Sequence, residues 1–233
     1  MAHAIAVGAI LAAYLIGSLS FAVIVSRLMG LSDPRTYGSG NPGATNVLRS
    51  GSKVTAIATL LLDALKGVVP VLLVQTFGEP HGLGEGTAAA AGLAAFIGHL
   101  WPVFFRFQGG KGVATAAGAI LALNPMLGLA TLATWLIIAF FFRYSSLASL
   151  VAAVFAPFYQ LLIWGGGPTA VAVAVMGLLL IWRHAGNIEK LLKGTESKIG
   201  QKAAPGHAPV HGHAHAGSHG HSHSKHKHPK HKP

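Results

Sequence analysis

Long apolar runs separated by short polar gaps constrain this chain more than any other feature. They cover residues 5–28, 54–77, 87–105, 113–123, 126–142, 147–164 and 168–182. A helix needs about 20 mostly apolar residues to cross a hydrocarbon core about 30 Å thick. Runs of this length therefore predict an all-α, polytopic membrane helix bundle rather than a soluble core. Composition agrees, because 52% of the 233 residues are hydrophobic and only 10% are charged. The first run has neither a basic stretch before it nor a small-residue cleavage site followed by a soluble domain, which predicts a retained helix and not a signal peptide. The chain has no cysteine, so disulfides, thiolate metal sites and cysteine nucleophiles are excluded.

The gaps alternate in character. One set carries Arg27, Arg35, Arg49 and Lys53, then Arg106 and Lys111, then Arg143, then Arg183, Lys190 and Lys193. The other set, with Glu79, His81 and Glu85, then Asn124 and Pro125, then Gly165, Gly166, Gly167 and Pro168, has no Lys or Arg. Under the positive-inside rule this split predicts about seven crossings, with the N-terminus outside and the C-terminus cytoplasmic. The fourth run is short: at about 1.5 Å rise per residue it reaches about half of the hydrocarbon thickness. It either extends through neighbouring Gly and Pro or is a half-helix lodged among the others. The formal net charge of +11 divides between these gaps and a Lys/His tail, with no basic stripe on a soluble surface, which argues against nucleic acid as a partner. The expected division is an integral membrane domain over residues 1–200 and a disordered cytoplasmic tail over 201–233. The tail's imidazoles would hold metal adventitiously, without a defined first shell.

The polar gaps on the basic side carry the chemistry. The first reads Gly38-Ser39-Gly40-Asn41-Pro42-Gly43-Ala44-Thr45-Asn46-Val47-Leu48-Arg49. Its glycines permit backbone N–H groups to converge on an anion, Ser39, Thr45 and Asn46 add side-chain donors, and Arg49 offers a planar fork suited to phosphate or carboxylate. The spacing of Gly38, Gly40 and Gly43 fits a dinucleotide fingerprint, but no strand precedes it and no βαβ unit surrounds it. A plain tight turn with a topology-setting arginine is the bland alternative. The second loop places Gly109, Gly110, Lys111 and Gly112 just before the short fourth helix, whose start would turn free N–H groups and a positive dipole end toward a bound anion. The third cluster runs from Arg183 and His184 through Asn187 to Glu196. His184 and Asn187 are three residues apart and share a helix face, whereas Lys190 and Lys193 are explained by contact with anionic headgroups. Since all three clusters fall on one membrane face, one polyanion site is the economical inference. Within the membrane, Asp63 and Lys66 suit a helix-stabilising pair better than a proton relay, and His99, near the end of the third run beside Trp101, is either functional or an interfacial helix-end residue.

At these loops the sequence resembles the bacterial membrane acyl-phosphate:glycerol-3-phosphate acyltransferases. The resemblance runs from about Gly17 to Glu196 and is carried by the Gly38 to Arg49 loop, by Asp63-Ala64-Leu65-Lys66-Gly67, by the segment from Gly98-His99 through Pro102 and Phe105 to Gly112, and by Arg183-His184 to Glu196. It implies transfer of a fatty acyl group from acyl phosphate to the 1-hydroxyl of glycerol 3-phosphate, giving lysophosphatidic acid and phosphate, the first acylation of phospholipid synthesis. No metal or other cofactor is implied, and the expected place is the inner membrane with the active site on the cytoplasmic side. By the matched motifs, Ser39, Arg49 and Lys111 would bind phosphate groups and Gly109, Gly110 and Gly112 the acyl-phosphate headgroup. His184 and Asn187 would position the acceptor, Ser149 would add a further acceptor contact, and Glu196 would support the local fold. Gly38, Gly40, Asn41, Gly43, Thr45 and Asn46 complete the expected binding loop. The chain departs from the family pattern at Ser20 and Ala22, where proline and glycine are usual, and at Ala185-Gly186, where a charged pair is common. A carrier for phosphorylated metabolites would also aim half-helices at anions, but no internal repeat is present.

Overall fold

The computed structural model describes residues 1–201; beyond Gln201, the tail expected over 201–233 lies outside the described residues. Every regular element among the described residues is helical: α1 Ala2–Gly17, α2 Phe21–Leu28, α3 Ala44–Leu48, α4 Lys53–Phe77, α5 Glu85–Leu100, α6 Val113–Leu123, α7 Pro125–Phe142, α8 Ser145–Tyr159, α9 Pro168–Arg183 and α10 Ala185–Leu192. Lys53–Phe77, Glu85–Phe105, Pro125–Phe142 and Ser145–Trp164 are long and apolar enough to cross a membrane. Two bent pairs, α1 with α2 at 43° and α9 with α10 at 57°, raise these spans to six if each pair is one span, and Val113–Leu123 remains shorter.

Local sequence sets several of these boundaries. Ser52 starts α4 by accepting the Thr55 N–H at 3.3 Å, and Asn124 starts α7 by accepting the Leu127 N–H at 3.1 Å, with Pro125 in the first helical position. The break between α1 and α2 forms although Ser20 stands where a proline is usual. Ser18 turns its hydroxyl back onto the Tyr14 carbonyl at 2.9 Å, and the Leu19 carbonyl accepts a hydrogen bond from Lys66 Nζ of α4 at 2.6 Å. A broken helix in hydrocarbon persists only where such exposed backbone groups find protein partners.

Lipid is as apolar as leucine, so these helices pack through close backbone approach and not through hydrophobic exclusion. Small residues are placed accordingly. A Cβ on Gly67 of α4 would come within 2.2 Å of the Thr115 carbonyl oxygen of α6, and one on Gly118 of α6 within 2.1 Å of the Ala64 carbonyl oxygen of α4. The same closeness joins α1 to α5, where a Cβ on Gly17 would fall 2.0 Å from the Ala95 carbonyl oxygen. Helix α5 is the central element, buried from Ala88 to Leu100 on most of its surface and packed on α1, α4, α6 and α9. Short α6 lies between α4 and α7, and α8 joins α7 to α9. This arrangement carries the three basic-side clusters to one end of the bundle. Gly118→Ala should destabilise the bundle by on the order of 1–3 kcal/mol through overpacking and lower its unfolding temperature in detergent, whereas Gly8→Ala, with no atom within 4 Å of its Cβ, should not; equal melting of the two variants would contradict the close α4–α6 crossing.

Candidate functional site

The first loop is folded around one buried side chain. Asn46 is 2% exposed; its Oδ1 accepts the Ser39 N–H at 2.9 Å, and its Nδ2 donates to the carbonyls of Pro34 at 2.7 Å and Tyr37 at 3.1 Å. Gly38 adopts φ +59°, and a Cβ there would meet Asn46 Oδ1 at 2.3 Å, so only glycine lets the chain wrap this closely. The sequence reading has Asn46 as a donor to the anion; its amide instead holds the loop in shape, because both hydrogens are already committed to carbonyls. Ser39, Asn41, Gly43, Thr45, Asn46 and Arg49 line the cavity that the loop overlooks, while Gly40, with φ +68°, is exposed and does not line it.

The second loop departs at Gly110 from the expectation of freely donating glycines. The Gly110 N–H donates to the His99 carbonyl at 3.1 Å. Arg183 donates through Nε and Nη2 to the Gly110 carbonyl at 3.2 and 3.0 Å and through Nη2 to Gly109 at 2.9 Å. Gly109 and Gly110 therefore form a clamped support, and neither lines the cavity. Lys111 and Gly112 do. Gly112 has φ +81°, and a Cβ on it would fall 2.3 Å from the Phe96 ring. The chain then enters α6, whose first N–H groups have no intrahelical partners and whose dipole favours an anion there.

The third cluster ties the other two together. Lys111 Nζ donates to Asn187 Oδ1. Asn187 Nδ2 donates to Glu196 Oε1 at 2.7 Å, and the same carboxylate oxygen accepts the Ser146 hydroxyl at 2.8 Å. His184, just past the end of α9, is 3% exposed and holds its Nδ1 at 2.8 Å from the Leu180 carbonyl oxygen. A carbonyl only accepts, so Nδ1 carries the hydrogen and Nε2 keeps a free lone pair. Burial and the Lys111 cation lower the His184 pKa to about 4, which keeps the ring neutral. Burial likewise lowers the Lys111 pKa to about 8, against the opposing pull of the Glu196 carboxylate.

These groups surround a cavity of about 630 Å³ with two unlike ends. Ser39, Arg49, Lys111, His184 and Asn187 meet at the polar end. From there an apolar arm runs between Leu60 of α4, Ile120 of α6, Leu136 of α7, Ala153 of α8 and Met176 of α9. A second, polar cavity of about 440 Å³ shares Ser39, Arg49, Asn187 and Glu196 and adds Gly38, Lys190 and Thr195. Ser149 lines the arm, but its hydroxyl donates to the Ser145 carbonyl at 2.7 Å and accepts the Trp135 indole N–H at 3.0 Å. Sequence inspection passed over Arg183 as the loop clamp and Ser146 as a partner of Glu196. An arginine at a helix end reads as a topology charge until its carbonyl partners, more than seventy positions away, are in place.

Comparison with known proteins bears on the same region. The family described as glycerol-3-phosphate acyltransferase matches residues 7–194. A protein named glycerol-3-phosphate acyltransferase from Albidiferax ferrireducens is 65% identical over 202 residues, covering 84% of this chain and 89% of that one. A protein of the same name from Ralstonia nicotianae is 67% identical over 194 residues, covering 83% and 94%. The crystal structure of PlsY, an integral membrane glycerol 3-phosphate acyltransferase, in its glycerol 3-phosphate form superposes with a TM-score of 0.77 at 40% identity, covering 83% of this chain and 94% of that one. Its lysophosphatidic acid form gives 0.75 at 39% identity with the same coverage.

The depressed Lys111 pKa makes anion binding pH-dependent. Below about pH 8 the ammonium is charged and attracts phosphate; above it the neutral amine accumulates in the free protein. Affinity for inorganic phosphate, measured by calorimetry in detergent, should therefore fall as pH rises through about 8. Lys111→Arg, whose guanidinium stays charged, should remove that fall; an unchanged pH profile in this variant would assign the titration to another group.

Proposed function

The chain belongs to the glycerol-3-phosphate acyltransferase family, and from that premise we propose that it moves a fatty acyl group from acyl phosphate to the 1-hydroxyl of glycerol 3-phosphate, releasing lysophosphatidic acid and inorganic phosphate. The observation that carries this reading is the two-ended cavity, with Arg49 and Lys111 at one end and an apolar arm at the other. An amphipathic donor, phosphate at its head and alkyl chain behind, fits such a shape. The adjoining polar cavity, which shares Ser39, Arg49 and Asn187, suits a small water-soluble acceptor.

The division of labour follows from the contacts. Lys111 and the first turn of α6 receive the phosphate of the donor, the group that leaves. Arg49 and Ser39 stand where both cavities meet and reduce the repulsion between two phosphate dianions. His184 offers Nε2 as an acceptor to the neighbouring hydroxyl of glycerol 3-phosphate and so positions that substrate, and Asn187 fixes Lys111 while one of its amide hydrogens is left for the substrate. The hydroxyl oxygen bonds to the acyl carbonyl carbon, the bond from that carbon to the phosphate oxygen breaks, and the hydroxyl proton passes to a phosphate oxygen of a substrate. An acyl phosphate is already activated, so orientation of the two reactants supplies much of the rate. In the membrane, the apolar runs are seven crossings with α6 the short one, the N-terminus is outside, and the site faces the cytoplasm at the bacterial inner membrane. The complete absence of Lys and Arg from the opposite set of gaps supports that orientation.

Purified protein supplied with palmitoyl phosphate should release phosphate only when glycerol 3-phosphate is present, with lysophosphatidic acid formed in equal amount, and Lys111→Ala should abolish the release. No turnover by folded wild-type protein would overturn the choice of donor. Arg49→Lys keeps the charge but loses the fork. It should lose at least about tenfold in kcat/KM, equivalent to about 1.4 kcal/mol of lost bidentate bonding; full activity in this variant would show that Arg49 does not grip a substrate phosphate through its fork.

A further inference from the structure

His99 closes α5 directly beneath the second loop, and the transfer chemistry above assigns it nothing. It is 7% exposed and lines the larger cavity. The loop lies against it at two points. A Cβ on Gly109 would come within 2.2 Å of the His99 carbonyl oxygen, and a Cβ on Gly110 within 2.2 Å of its ring Nε2. Gly110 is thus required by the closeness of the His99 ring, and Gly109 by the His99 carbonyl together with the Leu100 carbonyl at 2.5 Å; the His99 carbonyl also accepts the Gly110 N–H.

The imidazole is itself fixed from the other side. Its Nδ1 lies 3.3 Å from Thr115 Oγ1 of α6 and 3.7 Å from Asp63 Oδ1 of α4. Asp63 pairs with Lys66 at 2.8 Å, and Lys66 reaches the Leu19 carbonyl at the break between α1 and α2. Asp63, Lys66 and Thr115 are 2%, 3% and 0% exposed. In a setting this dry, one arrangement of a polar group is strongly favoured over others, because its alternatives leave a partner unsatisfied. The cluster therefore anchors the ring, and the ring bears on the residue that precedes Lys111.

We propose that His99 is a positioning residue for Lys111: held by Thr115 and Asp63, its imidazole is the floor on which Gly110 rests, and it sets where the Lys111 ammonium and the start of α6 meet the phosphate of the donor. The identity of that donor rests on the function proposed above. A histidine that only filled space would affect folding, without coupling to Gly110 and without favouring one substrate over the other.

The test is a double-mutant cycle between His99→Ala and Gly110→Ala, read by steady-state kinetics with palmitoyl phosphate and glycerol 3-phosphate and, in parallel, by calorimetric binding of inorganic phosphate. Each single variant should lower kcat/KM for acyl phosphate by on the order of tenfold to a hundredfold, mainly through KM, with the KM for glycerol 3-phosphate nearly unchanged. Once the ring is gone, the added methyl meets no imidazole, so Gly110→Ala should cost less than about threefold more in the His99→Ala background. His99→Gln, whose amide reaches the place of Nε2, should recover more activity than His99→Asn, whose amide reaches only that of Nδ1. Additive losses, or recovery by Asn and not by Gln, would overturn the proposal, as would equal rises in both KM values. If His99→Ala does not fold, the Gln and Asn comparison decides alone. Failure of the wild type to use palmitoyl phosphate would overturn the donor assignment, while the phosphate-binding cycle would still report on His99.

Discussion

A lysine ammonium enclosed at the end of an apolar bundle is the constraint around which this site is arranged. Burial disfavours the charged form of Lys111, enough to lower its pKa to about 8, so the surrounding chain has to supply polar contacts that keep it charged near neutral pH. Asn187 accepts from it, Glu196 braces Asn187, and Ser146 braces Glu196. Each of these residues comes from a different segment. Holding one cation thus requires the second loop, α10, the stretch after α10 and the start of α8 to converge, and that convergence forms the polar end of the cavity.

The apolar arm has the opposite origin. Glycine and alanine let α4, α6, α8 and α9 approach one another by their backbones, while Leu60, Ile120, Leu136 and Met176 line the space left between them. Close packing and a chain-sized cavity therefore arise from the same alternation of small and large residues. The polar end and the arm meet at Lys111 and the first turn of α6, and the two cavities meet at Ser39, Arg49 and Asn187. On the proposed function, an amphipathic and a hydrophilic phosphate compound occupy this arrangement together, with Arg49 between their charges.

Much of this was legible in the sequence, and the reasons for the remainder are physical. The helical class followed from run length, and Ser39, Arg49, Lys111, His184 and Asn187 do meet at one cavity. What spacing could not reveal was direction. Asn46 turns its amide into its own loop, Gly109 and Gly110 present carbonyls to Arg183, and the Gly110 N–H is taken by the His99 carbonyl. Glycine and asparagine serve equally well to cradle an anion or to permit close packing, and only the neighbours decide which. The break after α1 was similarly obscure, since Ser20 lacks the usual proline and the compensating group, Lys66, lies on another helix.

The central claim is that donor and acceptor occupy this site together and react directly. Isotope exchange tests it most directly: wild-type protein is incubated with palmitoyl phosphate and radiolabelled inorganic phosphate, with glycerol 3-phosphate left out. Direct transfer predicts no label in palmitoyl phosphate above the rate without protein, because the acyl group leaves phosphate only for the acceptor. Label incorporation catalysed by the protein would reveal an acyl-enzyme intermediate and contradict direct transfer.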